Sequence, residues 1–435
     1  MRKRLLVAAI AALALVFGAA AAQGAPLTTT NISNDGPADN GDNEVDIAIN
    51  PTNSQNMISA WNDYGPGGSC GIGWTKNGGR TWHTDWLHGV TPDGGNPTYD
   101  YGAGDPSVGF LNDGTAILAC NAWSTKKPTA LFITTSTNGG QTWAPAQFVA
   151  SADTKAGNLD HPMMTIDHYS NRALLAYTAW SGYQANSYAL VSDSTGTKWS
   201  GPYRIAADYK SNAPDVFDES LAGAPDGTLY ATSGIWQHVN EWSEQSVVVS
   251  QMRPGETSFT HTVKVRDLVP APMTLPGETW RTSMQASIGV DAAGTVYELT
   301  GDSVSGNLHM YLAKSIDRGA SFPTQIQLTS GTRDQVMPWM AVTPGGRVDT
   351  IYYDYSESTG LMDVDYGQVA AGGTTMSQTV VQRNINGESQ PPRGPDHSAF
   401  MGDYIGIDSL PNAVGLAWTG NGPLSQDVWS ATLTP

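Results

Sequence analysis

The chain has 435 residues, of which 48 are Gly, 26 Pro, 14 Trp and 17 Tyr, and only 14% are charged. Turn formers and aromatics in this proportion suit short strands and tight turns, and no long run carries the Ala, Leu, Glu and Lys periodicity of extended helices. The formal charge of -18 repels phosphate backbones and argues against nucleic acid as a partner.

Residues 1–25 read as a secretory signal peptide. Arg2, Lys3 and Arg4 form a basic start, Leu5 to Phe17 an apolar core, and small residues lead to cleavage after Ala22 or Ala25. No later stretch approaches the roughly 18 apolar residues of a spanning helix. The expectation is one exported domain over 26–435, monomeric, extracellular or periplasmic. In that setting Cys70 and Cys120, the two cysteines of the chain, pair as a disulfide.

An acidic run follows: Asp35, Asp39, Asp42, Glu44 and Asp46. It lacks the D-x-D-x-D-G spacing of a calcium loop, so a solvated acidic loop is expected there, with calcium a weak alternative. No cofactor or metal is predicted elsewhere.

A unit of two short apolar strands around a turn then recurs seven times. Its copies open at Asp46 (DIAINPTNSQNMISAW), Asp105 (DPSVGFLNDGTAILAC), His161, Glu219, Ala286, Pro338 and Asp403. The turns lie near Asn50, Leu111, Asp167, Ala224, Asp291, Thr343 and Asp408, 52 to 67 residues apart. Repeats of this length predict an all-β propeller, seven-bladed with six as the alternative. The last unit lacks an outermost strand, and the alternating segment Leu27 to Ser33 is expected to supply it, closing the ring and removing exposed edges. Within this topology Cys70 and Cys120 fall in adjacent blades at the same end.

A second motif follows several of the turns: TKNGGRTW from Thr75, STNGGQTW from Ser136, SIDRGASF from Ser315, and a weaker SDSTGTKW from Ser192. Its Asp or Asn can bond the backbone across a tight turn, its Gly accepts positive φ, and its aromatic packs the hairpin. These segments resemble the Asp-box (BNR) repeats of the sialidase-like superfamily. The resemblance, carried also by DIAINP, RDQVMPWMAV and FMGDYIGI, spans most of the chain. It implies a propeller whose boxes lie between the two outer strands and are structural, although sialidases themselves have six blades.

The resemblance also implies a ligand site where the innermost strands begin. Carboxylates and aromatic platforms gather at those positions, as a sugar site requires. The catalytic candidates are Asp105, Asp160, Asp218, Glu219, Asp403 and Tyr404. The binding candidates are Arg281, Arg333, Arg393, His161, Trp180, Trp236 and Asp63. Sialidases hold a substrate carboxylate with three arginines, a role expected here of Arg281, Arg333 and Arg393. The chain departs from the family pattern in having no arginine between Arg4 and Arg80. The leading expectation is a secreted sialidase-like glycoside hydrolase acting on carbohydrate. A non-catalytic glycan- or protein-binding propeller is the second reading. A polysaccharide lyase with His161, His397 or Tyr404 as base is the third.

Overall fold

The computed structural model describes residues 27–33, 41–65, 68–91, 96–125, 127–151, 157–182, 184–209, 215–237, 243–387, 400–421 and 426–435, without the side chains of Asp218, Glu219, Gln237 and Ser243. The expected signal peptide, Asp35, Asp39, Arg393 and His397 lie outside them. Among the described residues twenty-eight strands form seven four-stranded antiparallel sheets, the blades of a propeller.

The innermost strands, in order, are β2 (Asp42–Ile49), β6 (Gly102–Phe110), β10 (Gly157–Asp167), β14 (Asp215–Gly223), β18 (Ser287–Val290), β22 (Asp334–Val342) and β26 (Gly406–Leu410). Each touches the next, and β26 touches β2, so the ring closes. In blades one to six the four strands are consecutive. The last blade runs β26, β27 (Ala413–Asn421), β28 (Gln426–Leu433), and is completed by β1 (Thr29–Asn31). Thr29 pairs with Ala431 and Asn31 with Trp429. Ile32 and Ser33 extend the seam, through Ile32 N to Val428 O at 2.8 Å and Val428 N to Ser33 Oγ at 2.9 Å.

The hydrophobic core is a set of layers between neighbouring blades. One groups Ile58, Ile72, Val108, Phe110 and Leu118 of blades one and two. Another groups Val336, Ile351, Val414, Leu416 and Trp418 of blades six and seven. Inner sheets are therefore covered on both faces, and strands such as β7 (Ala116–Trp123, AILACNAW) read as continuous apolar runs instead of alternating ones. The outermost strands β5 (His83–Trp86) and β9 (Gln147–Ser151) are largely exposed.

Cys70 of β4 (Ser69–Thr75) and Cys120 of β7 are joined, with Cα atoms 6.7 Å apart, linking blades one and two as expected. The recurring polar motifs turn between third and outermost strands. Asn77 Oδ1 accepts Thr81 N at 3.0 Å, Asn138 Oδ1 accepts Thr142 N at 3.0 Å, and Asp317 Oδ1 accepts Ser321 N at 3.0 Å. In the weaker copy the acid stands one residue earlier, and Asp193 Oδ1 takes Thr197 N at 3.2 Å.

The acidic run is not a solvated loop. From Asp42 onward it is β2, with Asp42, Glu44 and Asp46 all buried. Asp46 accepts Ser107 Oγ at 2.7 Å and Val108 N at 2.9 Å, which ties blade one to blade two. Among the described residues no group of three or more His, Cys, Asp or Glu is arranged to hold a metal ion.

Candidate active site

Five inner strands carry the same irregularity. The ladder slips between Asn43 and Asp46, Gly104 and Ser107, Asp160 and Met163, Phe217 and Ser220, and Val336 and Trp339. At each slip two residues oppose one, a β-bulge that re-aims a side chain. The first bulged residue has positive φ at Glu44 (54°), Asp105 (48°), His161 (53°) and Met337 (51°). Such values are uncommon for residues with a Cβ, and their repetition near one end of the channel marks a built site. In three copies the second bulged residue is proline (Pro106, Pro162, Pro338), which has no N–H for the ladder to lose.

Three of the bulges, at Glu44, Asp105 and His161, face a cavity of about 440 Å³. Glu44, Asp105, Asp160 and His161 line it, with Asn62, Trp123, Trp180, Phe217, Trp236, Glu244, Arg281, Gln285, Phe400 and Asp403.

Three carboxyl groups adjoin in sequence across three blades. Asp105 is hydrogen-bonded to Glu44 and to Asp160, and also accepts Asn121 Nδ2 at 2.7 Å and His161 N at 3.3 Å. Glu44 accepts Asn62 Nδ2 at 2.6 Å and Asp403 N at 3.1 Å. Burial, then the charges of Asp105 and Asp403, hold Glu44 well above the usual carboxylate range. Burial raises Asp105 as well, against its hydrogen bonds. Asp160 is pushed up to about 7 by burial and by Asp105, although Trp180 Nε1 donates to it at 2.8 Å. Neighbouring carboxyls in a site of low dielectric cannot all ionise, so protons remain among them near neutrality.

Arg281 reaches the cavity from the long connection between β17 (Thr260–Asp267) and β18. Trp280, fully buried, anchors that connection, and Thr282 N bonds Met273 O at 2.9 Å. The guanidinium is bidentate to Asp403, with Nε to Oδ1 at 2.7 Å and Nη2 to Oδ2, and it lies over the Phe400 ring at 4.6 Å. Burial opposes its charge, but Asp403 outweighs that and raises the Arg281 pKa.

An aromatic wall stands opposite. Trp180 and Phe217 have ring centroids 5.2 Å apart, and Phe217 and Trp236 6.0 Å. The His161 ring is 5.3 Å from that of Tyr404, and burial lowers its pKa.

The cavity thus gathers Asp105, Asp160, His161, Trp180, Trp236, Arg281 and Asp403 from the predicted set. Asp218 and Glu219 occupy the bulge of β14, with side chains outside the described residues. Tyr404 is buried and donates to Pro106 O at 3.3 Å, behind the cavity. Asp63 accepts Trp86 Nε1 at 2.6 Å and Gly65 N at 2.8 Å, away from the lining. Arg333 is engaged by Asp354 and, at 3.6 Å, by Asp363, and does not join Arg281. Glu44, Phe217, Glu244 and Gln285 are lining residues that the sequence reading missed.

Compared with known protein families and with curated protein sequences, the chain matches none. Solved structures do resemble it. A protein of unknown function from Dyadobacter fermentans aligns over 94% of this chain and 98% of its own, with TM-score 0.53 and 13% identity. The GH93 α-L-arabinofuranosidase of Fusarium graminearum, solved with arabinobiose, aligns over the same shares with TM-score 0.52 and 12% identity. The Hadza microbial sialidase Hz136 aligns over 88% of this chain and 75% of its own, with TM-score 0.50 and 12% identity. At these identities the likeness is one of fold.

Proposed function

We propose that the protein is an exported glycoside hydrolase acting on an uncharged sugar. The observation that carries this reading is the carboxyl row Glu44–Asp105–Asp160 at the base of a cavity with an aromatic wall. Asp160, pushed up to about 7, is suited to give a proton to a glycosidic oxygen near neutral pH. Asp403, fixed by two guanidinium hydrogen bonds, is suited to act as base or nucleophile on the other side of the bond. Trp180, Phe217 and Trp236 offer apolar faces for a sugar ring.

The lack of a free cation in the described lining favours a neutral substrate over a sialoside. Among the described lining residues Glu44, Asp105, Asp160, Glu244 and Asp403 face a single cation, Arg281, which already serves Asp403. An incoming carboxylate would find no unpaired cation among the described lining residues, since Arg281 is bound to Asp403, and Arg333 is held elsewhere. The arabinofuranosidase and sialidase of similar fold are both sugar hydrolases, and the first acts on an uncharged sugar.

The test is turnover of a panel of aryl glycosides, arabinofuranosides and a sialoside included, by wild type, D160N and D403N. Each variant is expected to lose at least about 100-fold in kcat while unfolding at a temperature close to wild type. Wild-type kcat is expected to fall as the pH rises through about 7, the value for Asp160. Wild-type rates in D160N would reject the assignment, and binding without any cleavage would make the propeller a lectin-like receptor.

A further inference from the structure

We propose that Trp236, Glu244 and Gln285 form a second sugar subsite in the cavity, between blades four and five, that takes the neighbouring hydroxyls of an uncharged ring. This rests on the sugar-binding reading above and adds residues that it does not use.

The argument begins with unmet polar groups. Buried polar atoms in folded proteins are nearly all hydrogen-bonded. On this wall Trp236 Nε1 and Glu244 Oε1 are buried atoms with no hydrogen-bond partner among the described residues, and the buried Gln285 Oε1 adjoins the His161 ring. Glu244 and Gln285 are 9% and 4% exposed, and all three residues line the cavity. They come from three separate segments: β15 (Leu229–Gln237), β16 (Ser243–Met252) and the approach to β18. Trp236 and Glu244 oppose each other across the β15–β16 pair, and Gln285 joins them from the next blade.

Bare backbone makes the room. A Cβ on Gly234 would lie 2.5 Å from Glu244 Oε1 and 2.9 Å from Trp236 Nε1. The indole donor and the carboxyl oxygen therefore converge over one glycine. Gly301, also in the lining, leaves space that the end of Met284 enters. One N–H donor beside two oxygen atoms matches a pair of adjacent hydroxyls, each of which can both donate and accept. Trp236 adds its ring face to the same wall.

The groups facing Glu244 are Glu298 and Asp302 of β19 (Val296–Asp302), Arg266 of β17 and Trp236 of β15. Arg266 pairs with Asp302 at 2.9 Å. Burial, with Asp302 nearby, pushes Glu244 up to about 8, and burial with Glu244 nearby raises Glu298 well above its ordinary value. Glu244 is then mainly protonated below about pH 8, able both to donate to a hydroxyl and to accept from one. Ionisation above pH 8 removes the donor.

Binding tests this without requiring turnover. The full chain and its E244Q, E244A and Q285A variants are titrated calorimetrically with arabinobiose, lactose and cellobiose, and with sialyllactose as the anionic probe. At least one neutral disaccharide is expected to bind wild type, and E244A and Q285A to weaken it about 10-fold or more. Wild-type affinity is expected to decline above pH 8, whereas that of E244Q stays level. If E244A fails to fold, Q285A and the E244Q pH profile decide. Equal affinity of the variants and wild type overturns the subsite, as does failure of every neutral probe to bind wild type. Binding that depends on Glu244 with no hydrolysis of any glycoside rejects the hydrolase reading and leaves the subsite standing.

Discussion

Asp105 sits at the centre of an arrangement in which burial and shared protons decide behaviour more than any single ion pair. The consequence for stability has a definite sign. Asp160 and Glu244 have ordinary values of 3.8 and 4.5 and are pushed up to about 7 and about 8 by burial. The folded chain therefore binds more protons than the unfolded chain between about pH 4 and pH 8. Stability is full below that window and falls as the pH rises through it. The midpoint of thermal unfolding is expected to be several degrees higher at pH 5 than at pH 8. D160N and E244Q should each flatten that slope, and a profile in both variants identical to wild type would contradict the buried, protonated state of these carboxyls.

At the scale of the element, the bulge and the hairpin divide the labour. The outer hairpins hold shape: Asn138 accepts Thr142 N at 3.0 Å and Ser136 Oγ at 2.9 Å, and donates to Thr142 Oγ1 at 2.8 Å. Asn138→Ala is expected to lower stability by about 1 kcal/mol, read by denaturant unfolding, with sugar binding and turnover unchanged. The hairpins were legible in the sequence because a fixed polar spacing encodes each one locally. The bulges were not. The repeat copies that begin at Asp105 and His161 start on the bulged residue, but the first copy, begun at Asp46, starts two residues late. Its equivalent is Glu44, which lay in what read as a solvated acidic run. A shift of two preserves the strand's facing pattern, so nothing in the alternation betrays it. The proline after the bulged residue in Asp105-Pro106, His161-Pro162 and Met337-Pro338 was the available signal. Glu244 had none, since it comes from a third strand and reaches the cavity only through the notch at Gly234.

For the whole molecule, the blade count and the closing strand were readable because each follows from repeat spacing, and the pairing of Cys70 with Cys120 because they are the two cysteines of the chain. Of the three arginines expected to converge, Arg281 and Arg333 do not meet, since Arg281 travels on a long connection pinned by Trp280 and Arg333 is captured within its own blade, and Arg393 lies outside the described residues. The disulfide spans 50 residues, and in the chain-entropy account such a link contributes up to about 4 kcal/mol. C70S/C120S is expected to unfold at lower denaturant by that order, with the ring intact. Deletion of residues 27–33 acts differently. It exposes β28 as an edge and uncovers the layer formed by Ile32, Val45, Trp61 and Val428, so loss of cooperative unfolding or self-association is expected in sedimentation and calorimetry.

Because Thr29 meets Ala431, the earliest described residues find their partner only among the last. During synthesis six blades can assemble while the opening segment waits unpaired, and the circle locks when the final strand arrives. Joining the two ends by a short linker and cutting the chain at an outer turn would move that lock to another blade, giving a permuted protein that folds in a different order to the same ring.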